Sequence, residues 1–419
     1  MVDRATSSAE IGAASVREGL AQVVDDARSI TDGLVADYIP ELSHADPDLV
    51  GVSLVSVLGH RYDAGDARAR FTIQSISKPF VYALVHAQLG REALHRFVGF
   101  EPSGEPFNAI SLDDAGRPAN PMINAGAIMV SALVDGASPI DRFDAILDGL
   151  SRFAGRELHV DPAVYDSEAR TGHRNRALGS LRRSTGLLPR DVDDATDVYF
   201  RQCAVEVTAG DVAVMGATLA NDGVNPMTGE RVTDTESAQD TLSLMASCGM
   251  YDRSGEWGVT VGFPAKSGVG GGIVAVKPGL FGVGTFAPPL DAAGNSARGV
   301  AMLRRLSEEY GGHLLAHPSS PTPPVVERVD ALGRHVLDVR GELDFIAVEQ
   351  VLSDIDRVRA TTGHGPGLVI DLSAVTLITP VAGRLLEAVI DRSTDPSPIA
   401  TIDPEGHLAP LGPRDGARR

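Results

Sequence analysis

Two side chains at the start of one predicted helix have the types and the spacing for acyl-transfer chemistry. Ser75 and Lys78 lie three residues apart, so the hydroxyl and the ammonium fall on one helix face about one turn from each other. The N–H groups at a helix start and the positive end of its dipole favour a developing oxyanion and an activated serine. The same S-x-x-K pattern also fits a helix cap followed by a solvated lysine, and the motif alone leaves both interpretations open.

The elements that must position this pair follow from strand, turn and helix signals. Phe71-Thr72-Ile73 predicts a short strand, Ser75 a helix cap, and Gly90 the end of the helix. Val50–Gly59 predicts an earlier strand, and turn residues lead from it into the short strand. We therefore expect a hairpin or meander to deliver Ser75 to the start of a helix.

Further downstream, polar groups stand among small residues and glycines. Asn124 is predicted at the mouth of a small-residue helix, where it is either a cap or a functional amide. Val259–Gly262 and Ile273–Val276 predict strand-like runs around Lys266–Gly272, whose glycines let the main chain approach a ligand closely. A phosphate loop is the rival interpretation. It is disfavoured because the lysine precedes the glycines and no helix follows.

Composition limits the classes of protein to consider. The chain has 419 residues, 43% of them hydrophobic, which is enough for two or three globular domains. Its formal net charge of -19 argues against nucleic acid or an anionic membrane as the main partner. Cys203 and Cys248 are too few for a disulfide framework and are expected to be buried. We see neither a leader nor a membrane-spanning run, and therefore expect a cytoplasmic protein.

The domain organisation is predicted from one Pro/Ser-rich stretch at 317–324, whose composition is typical of a linker between domains. Before it we expect one domain over 1–316, with its core at about 19–310. After it we expect a small domain over 325–403 with the order strand, strand, helix, strand, helix, strand, followed by a loose tail at 404–419. The eleven histidines show no metal-ligand spacing and are expected to be scattered over the surface.

Several blocks, taken in their order along the chain, resemble the serine-dependent glutaminases, within the β-lactamase and penicillin-binding class of serine enzymes. The resemblance covers roughly Gly19–Tyr310. Its blocks are ADYIP at 36–40, QSISK at 74–78, NPMINAGA at 120–127, RNRA at 174–177, GVNP at 223–226 with GER at 229–231, and KSGVGGG at 266–272. It implies an α+β fold in which a β-lactamase-like antiparallel sheet is flanked by a helical subdomain.

The resemblance also implies a reaction and the residues that perform it. Ser75 would attack the side-chain amide carbon of L-glutamine, Lys78 would take the serine proton, and Tyr251 would relay protons to ammonia and water. The N–H groups of Ser75 and Val269 would form the oxyanion hole. Lys266, in the Lys-Ser-Gly turn, is expected to support the electrostatics of the site and the geometry of its strand. No cofactor and no metal are implied, and the family's usual assembly is a homodimer or homotetramer.

The residues that would bind L-glutamine come from the same resemblance. Glu168 would pair with the α-ammonium, because a cation requires an acidic partner. Asn124, Asn175 and Tyr199 would hydrogen-bond the α-amino and α-carboxylate ends, and Tyr38 would line the pocket near the serine. The complete implied set is Tyr38, Ser75, Asn124, Glu168, Asn175, Tyr199, Tyr251 and Val269.

Residues from Val325 to about Ile402 resemble the STAS domain, which sulphate transporters share with anti-sigma-factor antagonists. Arg340–Phe345 and Val369–Thr376 carry the resemblance. It implies a small α/β domain that binds a regulatory protein or a small molecule. Thr379 is the hydroxyl nearest to the position of the antagonists' phosphorylated serine, and it is either a phosphorylation site or a helix cap.

Two other functions compete with a glutaminase. A penicillin-recognising serine hydrolase would share the S-x-x-K and Lys-Ser-Gly motifs. A non-catalytic regulatory protein would act through the STAS-like domain and carry the catalytic fold as a relic. The motif positions retain the family residues, which disfavours a relic.

Overall fold

The computed structural model describes residues 8–103, 116–184, 186, 188–315, 325–362, 367–392 and 399–408. These residues form two compact units. The larger unit comprises Leu20–Ser307 and Gly312–Leu314, and the smaller unit comprises residues 8–19, Glu308–Gly311 and the described residues from Leu315 onward. The expected linker at 317–324 and the end of the expected tail, 409–419, lie outside the described residues.

The α-helices of the described residues are α1 (Ser8–Arg28), α2 (Ser77–Leu89), α3 (Arg91–Leu94), α4 (Asn124–Leu133), α5 (Pro139–Ala154), α6 (Pro162–Thr171), α7 (His173–Ser184), α8 (Val192–Cys203), α9 (Ala209–Ala220), α10 (Thr235–Cys248), α11 (Ser254–Thr260), α12 (Ala297–Tyr310), α13 (Phe345–Thr362) and α14 (Pro380–Arg392). The strands are β1 (Gly51–Ser56), β2 (Arg61–Gly65), β3 (Phe71–Thr72), β4 (His159–Val160), β5 (Val205–Val207), β6 (Ala265–Ser267), β7 (Gly272–Lys277), β8 (Phe281–Phe286), β9 (Val325–Val329), β10 (His335–Leu343), β11 (Leu368–Ile378) and β12 (Ile399–Ile402). Short 3-10 helices span Pro40–His44, Gln74–Ile76 and Tyr251–Arg253.

The larger unit is built around an antiparallel sheet of five strands in the order β2-β1-β8-β7-β6. Helix α9, whose residues are all buried, lies directly on one face of this sheet. Gly282 and Gly284 permit this close packing, because a Cβ at either position would clash with the α9 backbone. Thr285, between them in β8, points to the opposite face, toward Gly299 in α12.

Helix α2 continues the core away from the sheet. It packs against α10, α5 and α4, and most of its residues are buried. A helical subdomain of α4 to α8 encloses a second apolar cluster and is joined to the small sheet β3-β5-β4. The predicted antiparallel sheet with a flanking helical subdomain is therefore present in the structure, and α2 runs along the boundary between the two.

The smaller unit contains a four-stranded mixed sheet in the order β12-β11-β10-β9. Strands β9 and β10 form an antiparallel hairpin, whereas β10–β11 and β11–β12 are parallel pairs. Helices α13 and α14 pack together and bury Val348, Val351, Leu385 and Leu386. The element order matches the one predicted for residues 325–403.

Several local predictions were wrong. The sequence predicts a frayed segment up to about Ser15 and helical spacing over Val16–Asp37, whereas helix α1 begins at Ser8 and ends at Arg28. The expected strand at Val259–Gly262 is absent from the structure, where Val259 and Thr260 form the end of helix α11. Its β-branched residues predicted a strand, but the main chain hydrogen-bonds locally, as from Val261 N to Trp257 O.

The expectation of surface histidines fails at two positions. His86 is 2% exposed, and its two ring nitrogens lie 2.8 Å from Ser237 Oγ and 2.8 Å from Asp240 Oδ2. His95 is buried against Tyr82, whose hydroxyl lies 2.9 Å from Nε2. Both histidines are buried and lie within hydrogen-bonding distance of other side chains in the core. Their spacing in the sequence does not predict this burial. Within the described ranges, no group of three His, Cys, Asp or Glu residues could hold a metal ion.

A search of the described residues for a helix with the length and apolar character needed to cross a bilayer gives none.

Candidate active site

Ser75 lies in the 3-10 turn that joins β3 to α2. The preceding residue, Gln74, has φ of 48°, a left-handed conformation that side-chain-bearing residues seldom adopt. Such strain costs on the order of 1–3 kcal/mol and persists only where the surroundings enforce it. Here the Gln74 carbonyl accepts a hydrogen bond of 2.7 Å from Ser77 Oγ. Ser75 is 5% exposed and is held in a sharp strand-to-helix turn.

Lys78 is buried in the first turn of α2. Its Nζ donates to Asn124 Oδ1 at 2.7 Å and approaches Met122 O at 3.4 Å. Burial disfavours the ammonium and lowers the pKa of Lys78 to about 8. A substantial fraction of this amine is therefore neutral at mildly alkaline pH, as a proton acceptor must be.

A chain of amide and phenol groups extends from Lys78 toward the surface. Asn124 Nδ2 donates to Asn175 Oδ1 at 3.0 Å, and Asn175 Nδ2 donates to Tyr38 OH at 3.2 Å. Tyr199 OH donates to Asn124 Oδ1 at 3.2 Å. Tyr38 is 38% exposed, whereas the two asparagines and Tyr199 are buried. The chain thus leads from the buried amine to a half-exposed phenol at the edge of the site.

Glu168 in α6 is 2% exposed and is hydrogen-bonded to the Gln74 side chain. Burial raises the pKa of its carboxyl to about 7, and the Gln74 hydrogen bond and the charge of Lys78 act in the opposite direction. A buried carboxylate with no ion-pair partner among the described residues costs free energy. A ligand cation that pairs with the Glu168 carboxylate would offset that free energy.

Tyr251 also has a left-handed backbone, with φ of 56°, in the 3-10 turn after α10. Its hydroxyl donates to Ser267 O at 3.0 Å and is also hydrogen-bonded to Ser75. Because a phenol has one proton, the Ser75 hydroxyl is the donor to Tyr251 in this pair. Burial raises the pKa of Tyr251 above its usual range, so the phenol is protonated.

The glycine-rich segment after β6 lies against the turn that carries Ser75. A Cβ at Gly268 would lie 3.1 Å from Ile73 O, and one at Gly270 would lie 3.0 Å from Thr72 O. These short distances explain why glycines flank Val269. The Val269 side chain packs into an apolar cluster, and its N–H has no hydrogen-bond acceptor among the described residues.

Lys266 is fully buried beside this site. Its Nζ donates to Ser267 O at 2.7 Å and lies 4.1 Å from the centroid of the Tyr251 ring. Burial and the neighbouring charge of Lys78 lower the pKa of Lys266 well below its usual range. Lys266 and Tyr251 thus converge on the same carbonyl of Ser267.

Direct contacts join the predicted site residues in two groups, one around Ser75, Tyr251 and the Lys-Ser-Gly strand, the other around Lys78, Asn124, Asn175, Tyr199 and Tyr38. Ser75 and Lys78 are linked through the backbone of α2 and its preceding turn, and no hydrogen bond joins their side chains in the described residues. Catalytic hydrogen bonds are often long in an unliganded site.

Two local interpretations of the motifs are corrected. Ser75 is not the cap of α2, because the cap position is Ile76 and no side chain caps this helix. Asn124 is the first residue of α4, not its cap, and its side chain is directed to Lys78 and Asn175. In both cases tertiary contacts rather than helix capping engage the side chain.

Two residues of this site were missed by the sequence reasoning. Gln74 connects the Ser75 turn to Glu168, and its position next to the serine in the QSISK block was a signal. Cys203 is 3% exposed and is hydrogen-bonded to Tyr199, four residues earlier in α8. Burial raises the pKa of the Cys203 thiol to about 12, so it is a neutral group in the wall of the site.

Comparisons with known proteins give a consistent assignment. The family model described as Glutaminase matches residues 33–315. Glutaminase 1 of Bradyrhizobium diazoefficiens is 44% identical over 391 residues, which are 84% of this chain and 64% of that protein. The chain therefore spans less than two thirds of the length of that relative.

Other relatives match over nearly their full length. The glutaminase of Corynebacterium efficiens is 41% identical over 411 residues, 96% of this chain and 96% of that protein. The crystal structure of Mglu in its glutamate form is 39% identical, with a TM-score of 0.72, and the match covers 93% of this chain and 99% of that one. On the family match and these identities, the chain belongs to the glutaminase family.

Proposed function

We propose that this protein hydrolyses L-glutamine to L-glutamate and ammonia through a glutamyl group bound to Ser75. The observation that carries the proposal is the contact network of Ser75 with Tyr251 and of Gln74 with Glu168, in a chain of the glutaminase family. A nucleophile and a buried carboxylate are thereby connected through adjacent residues of one strained turn. That arrangement suits a substrate with a reactive carboxamide at one end and an ammonium at the other.

In the first half of the reaction, Ser75 Oγ forms a bond to the carboxamide carbon of glutamine. The serine proton passes to Lys78 or through Tyr251, and the leaving nitrogen takes up a proton as its bond to carbon breaks. The hydrogen bond from Ser75 to Tyr251 and the lowered pKa of Lys78 support these two routes. In the second half, water attacks the ester carbon, glutamate leaves, and a proton returns to Ser75 Oγ.

The negative oxygen formed at the carboxamide carbon requires donors that are fixed before the reaction. We assign this role to the N–H groups of Ser75 and Val269. The close packing of Gly268 and Gly270 on the β3 strand and its following turn supports the assignment, since it fixes the main chain around Val269 next to Ser75. The N–H of Val269 supports it further, since no acceptor for it is found in the part of the chain that the structure describes.

The other end of glutamine is a zwitterion, and the site offers complementary groups for it. Glu168 pairs with the α-ammonium, while Asn124, Asn175 and Tyr199 hydrogen-bond the α-amino and α-carboxylate ends. Tyr38 closes the outer side of the pocket. The hydrogen-bonded chain of amides and phenols supports this division, because each member is already oriented by a neighbour.

The proposed activity is tested by measuring ammonia and glutamate released from L-glutamine by the purified full-length protein. Equal molar release of both products supports a glutaminase. In parallel, incubation with a fluorescent penicillin tests the rival serine hydrolase, which would retain the label on Ser75. Release of neither product, with or without labelling, would contradict the proposal and favour one of the two rival functions.

Replacing Glu168 by glutamine is expected to raise KM for L-glutamine about ten- to hundredfold, with a smaller effect on kcat. The reason is that a hydrogen bond to a charged group is worth about 1.5–3 kcal/mol and the amide cannot pair with an ammonium. The matched control is Asp166→Asn, which removes the same charge from an exposed position of the same helix. An unchanged KM in Glu168→Gln would contradict the assigned role.

The same carboxyl predicts an acid limb in the pH profile. Its pKa of about 7 is raised, so the carboxyl is increasingly protonated as the pH falls through 7. Since only the carboxylate pairs with the ammonium, kcat/KM of the wild type is expected to fall more steeply below pH 7 than protonation of Lys78, with its pKa of about 8, would cause alone. Glu168→Gln should lose this additional steepness and keep the Lys78 limb, and steady-state kinetics from pH 5.5 to 9 would measure the slope.

We further propose that the described residues from Val325 onward form a STAS-like regulatory domain that binds a protein or a small molecule. The mixed sheet with α13 and α14 supports this, as does the element order. Thr379 precedes α14, and Ala382 N lies 3.4 Å from its hydroxyl, which supports a weak capping role. Phosphorylation of Thr379, a homodimer or homotetramer and a cytoplasmic location stay predictions from the sequence.

Deleting residues 325–419 is expected to leave kcat for glutamine within about threefold of the wild type, because all the proposed catalytic residues lie in the larger unit. The deletion removes Phe345, whose ring packs against Tyr310, and Leu352, which contacts helix α1 at Gly12. A second variant, Leu386→Asp, therefore destabilises that unit without shortening the chain. Loss of activity in both variants, with the larger unit still folded by circular dichroism, would show that the two units are not functionally separable.

A further inference from the structure

A cavity of about 220 Å³ lies in the larger unit next to the turn that carries Tyr251. One side of the cavity is formed by Met250, Arg253 and Trp257. The other lining residues include Asp291, Asn295 and Arg304. None of the residues proposed to bind glutamine lines this cavity. It is therefore a separate site that the proposed reaction does not use.

One wall of the cavity carries a buried acceptor that lacks a donor. Asn295 is 2% exposed, and its Oδ1 has no hydrogen-bond partner among the described residues. The backbone of Asn295 is fixed, because its N–H donates to Asp291 Oδ1 at 3.0 Å and its carbonyl accepts from Asp291 N at 2.7 Å. A buried acceptor without a donor costs about 1–3 kcal/mol. A ligand N–H that reaches Oδ1 would remove that cost.

The cavity also contains a cation and an anion that are not neutralised by each other. Arg304 in α12 is exposed and has no ion-pair or hydrogen-bond partner among the described residues. Arg253, by contrast, is paired with Glu256 at 2.6 Å. Asp291 uses Oδ1 for backbone N–H groups, with Ala293 N at 2.9 Å, which leaves its second oxygen for a ligand.

From this set of groups we propose that the cavity is a binding site for a small α-amino acid in its zwitterionic form. The ligand carboxylate pairs with Arg304, and the ammonium donates to Asp291 Oδ2 and, after rotation of the Asn295 amide toward the cavity, to Asn295 Oδ1. Met250, Trp257 and Val300 provide the apolar wall for a short side chain. The cavity volume of about 220 Å³ is sufficient for a ligand of this size.

Occupancy of this site would act on the Tyr251 turn. Met250 and Arg253 line the cavity, while Tyr251 between them directs its phenol to Ser75 and Ser267. Because the Tyr251 backbone is in a strained conformation, a ligand that fixes its neighbours alters how firmly the phenol is held. The site is therefore an effector site, and this consequence, unlike the binding itself, rests on the proposed function.

The binding is tested with L-alanine, which has no side-chain carboxamide for Ser75 to attack. Trp257 is the only tryptophan of the chain and lines the cavity, so its fluorescence reports on this site. We expect a saturable change with L-alanine, and at least tenfold weaker half-saturation with acetate or ethylammonium, each of which carries one half of the zwitterion. Arg304→Gln should weaken the response to L-alanine at least tenfold. The matched control Arg96→Gln, at an exposed arginine outside the cavity, should not change it.

Three results separate the site from the proposed glutamine pocket. The fluorescence response should persist in Glu168→Gln, and its loss there would mean that alanine binds beside Ser75 instead. A response that is absent, or unchanged in Arg304→Gln, would overturn the site. Saturating L-alanine should change kcat for glutamine at least twofold in the wild type and not in Arg304→Gln. An unchanged kcat with an intact fluorescence response would overturn only the coupling to Tyr251. If the protein does not turn over glutamine at all, the fluorescence response alone still decides whether the cavity binds an amino acid.

Discussion

Ser75→Ala is expected to lower glutamine turnover at least a thousandfold, to the background of the assay. The substitution removes the oxygen that forms the covalent bond and leaves no adjacent nucleophile that could replace it, since Ser77 Oγ is hydrogen-bonded to Gln74 O at 2.7 Å. Removing a nucleophile from an enzyme of this type costs on the order of 10³- to 10⁶-fold in kcat. The measurement is glutamate formation at saturating glutamine.

Two additional measurements make this result specific. Acid quenching of the wild type during turnover should trap a glutamyl adduct on the peptide that contains Ser75, and Ser75→Ala should yield none. Ser243→Ala serves as the control, because Ser243 is exposed and its hydroxyl donates to Gln239 O in the preceding turn of α10. Turnover above about a tenth of the wild type in Ser75→Ala would refute the covalent mechanism.

Lys78→Met is expected to lower kcat about a hundred- to ten-thousandfold, the range for loss of a general base. Methionine fills a similar volume without a charge, and Asn124 Oδ1 keeps the hydrogen bond from Tyr199 OH at 3.2 Å. The variant should therefore fold. Lys78→Arg should be equally impaired, because a guanidinium does not release its proton.

The pH profile of kcat provides an independent test of the Lys78 role. Its pKa is lowered to about 8, so the neutral amine that accepts the serine proton predominates above that pH. We expect kcat of the wild type to rise with pH through about 8 and then to level off, and the rise should vanish in Lys78→Met. Lys277→Met, at a lysine whose Nζ bonds to His313 O at 2.9 Å, is the matched control. A flat wild-type profile would assign the proton transfer to Tyr251 alone.

The motif blocks determined much of the architecture and the composition of the site. Gly90 predicted where helix α2 ends, because glycine acts through local backbone geometry. The element order of the smaller unit followed from periodicity for the same reason. Ser75 and Lys78 were identified because one helical turn joins them.

Such local signals do not predict contacts between residues that are distant in the sequence. Helix α11 replaces an expected strand, and the buried His86 and His95 were expected at the surface, because burial depends on which elements pack above a position. The left-handed conformations of Gln74 and Tyr251 could not be predicted from the sequence either, since neither residue type favours them.

The sequence by itself determined the family blocks, the helix that begins two residues after Ser75 and carries Lys78, and the set of polar side chains available for chemistry. Only the tertiary structure decided that Gln74 contacts Glu168, that Tyr251 contacts Ser75, and that Lys78 is fully enclosed. The physical reason is that spacing along a chain fixes neighbours within a turn or two. Burial, and with it the pKa of each group, is set by packing between segments far apart in the sequence.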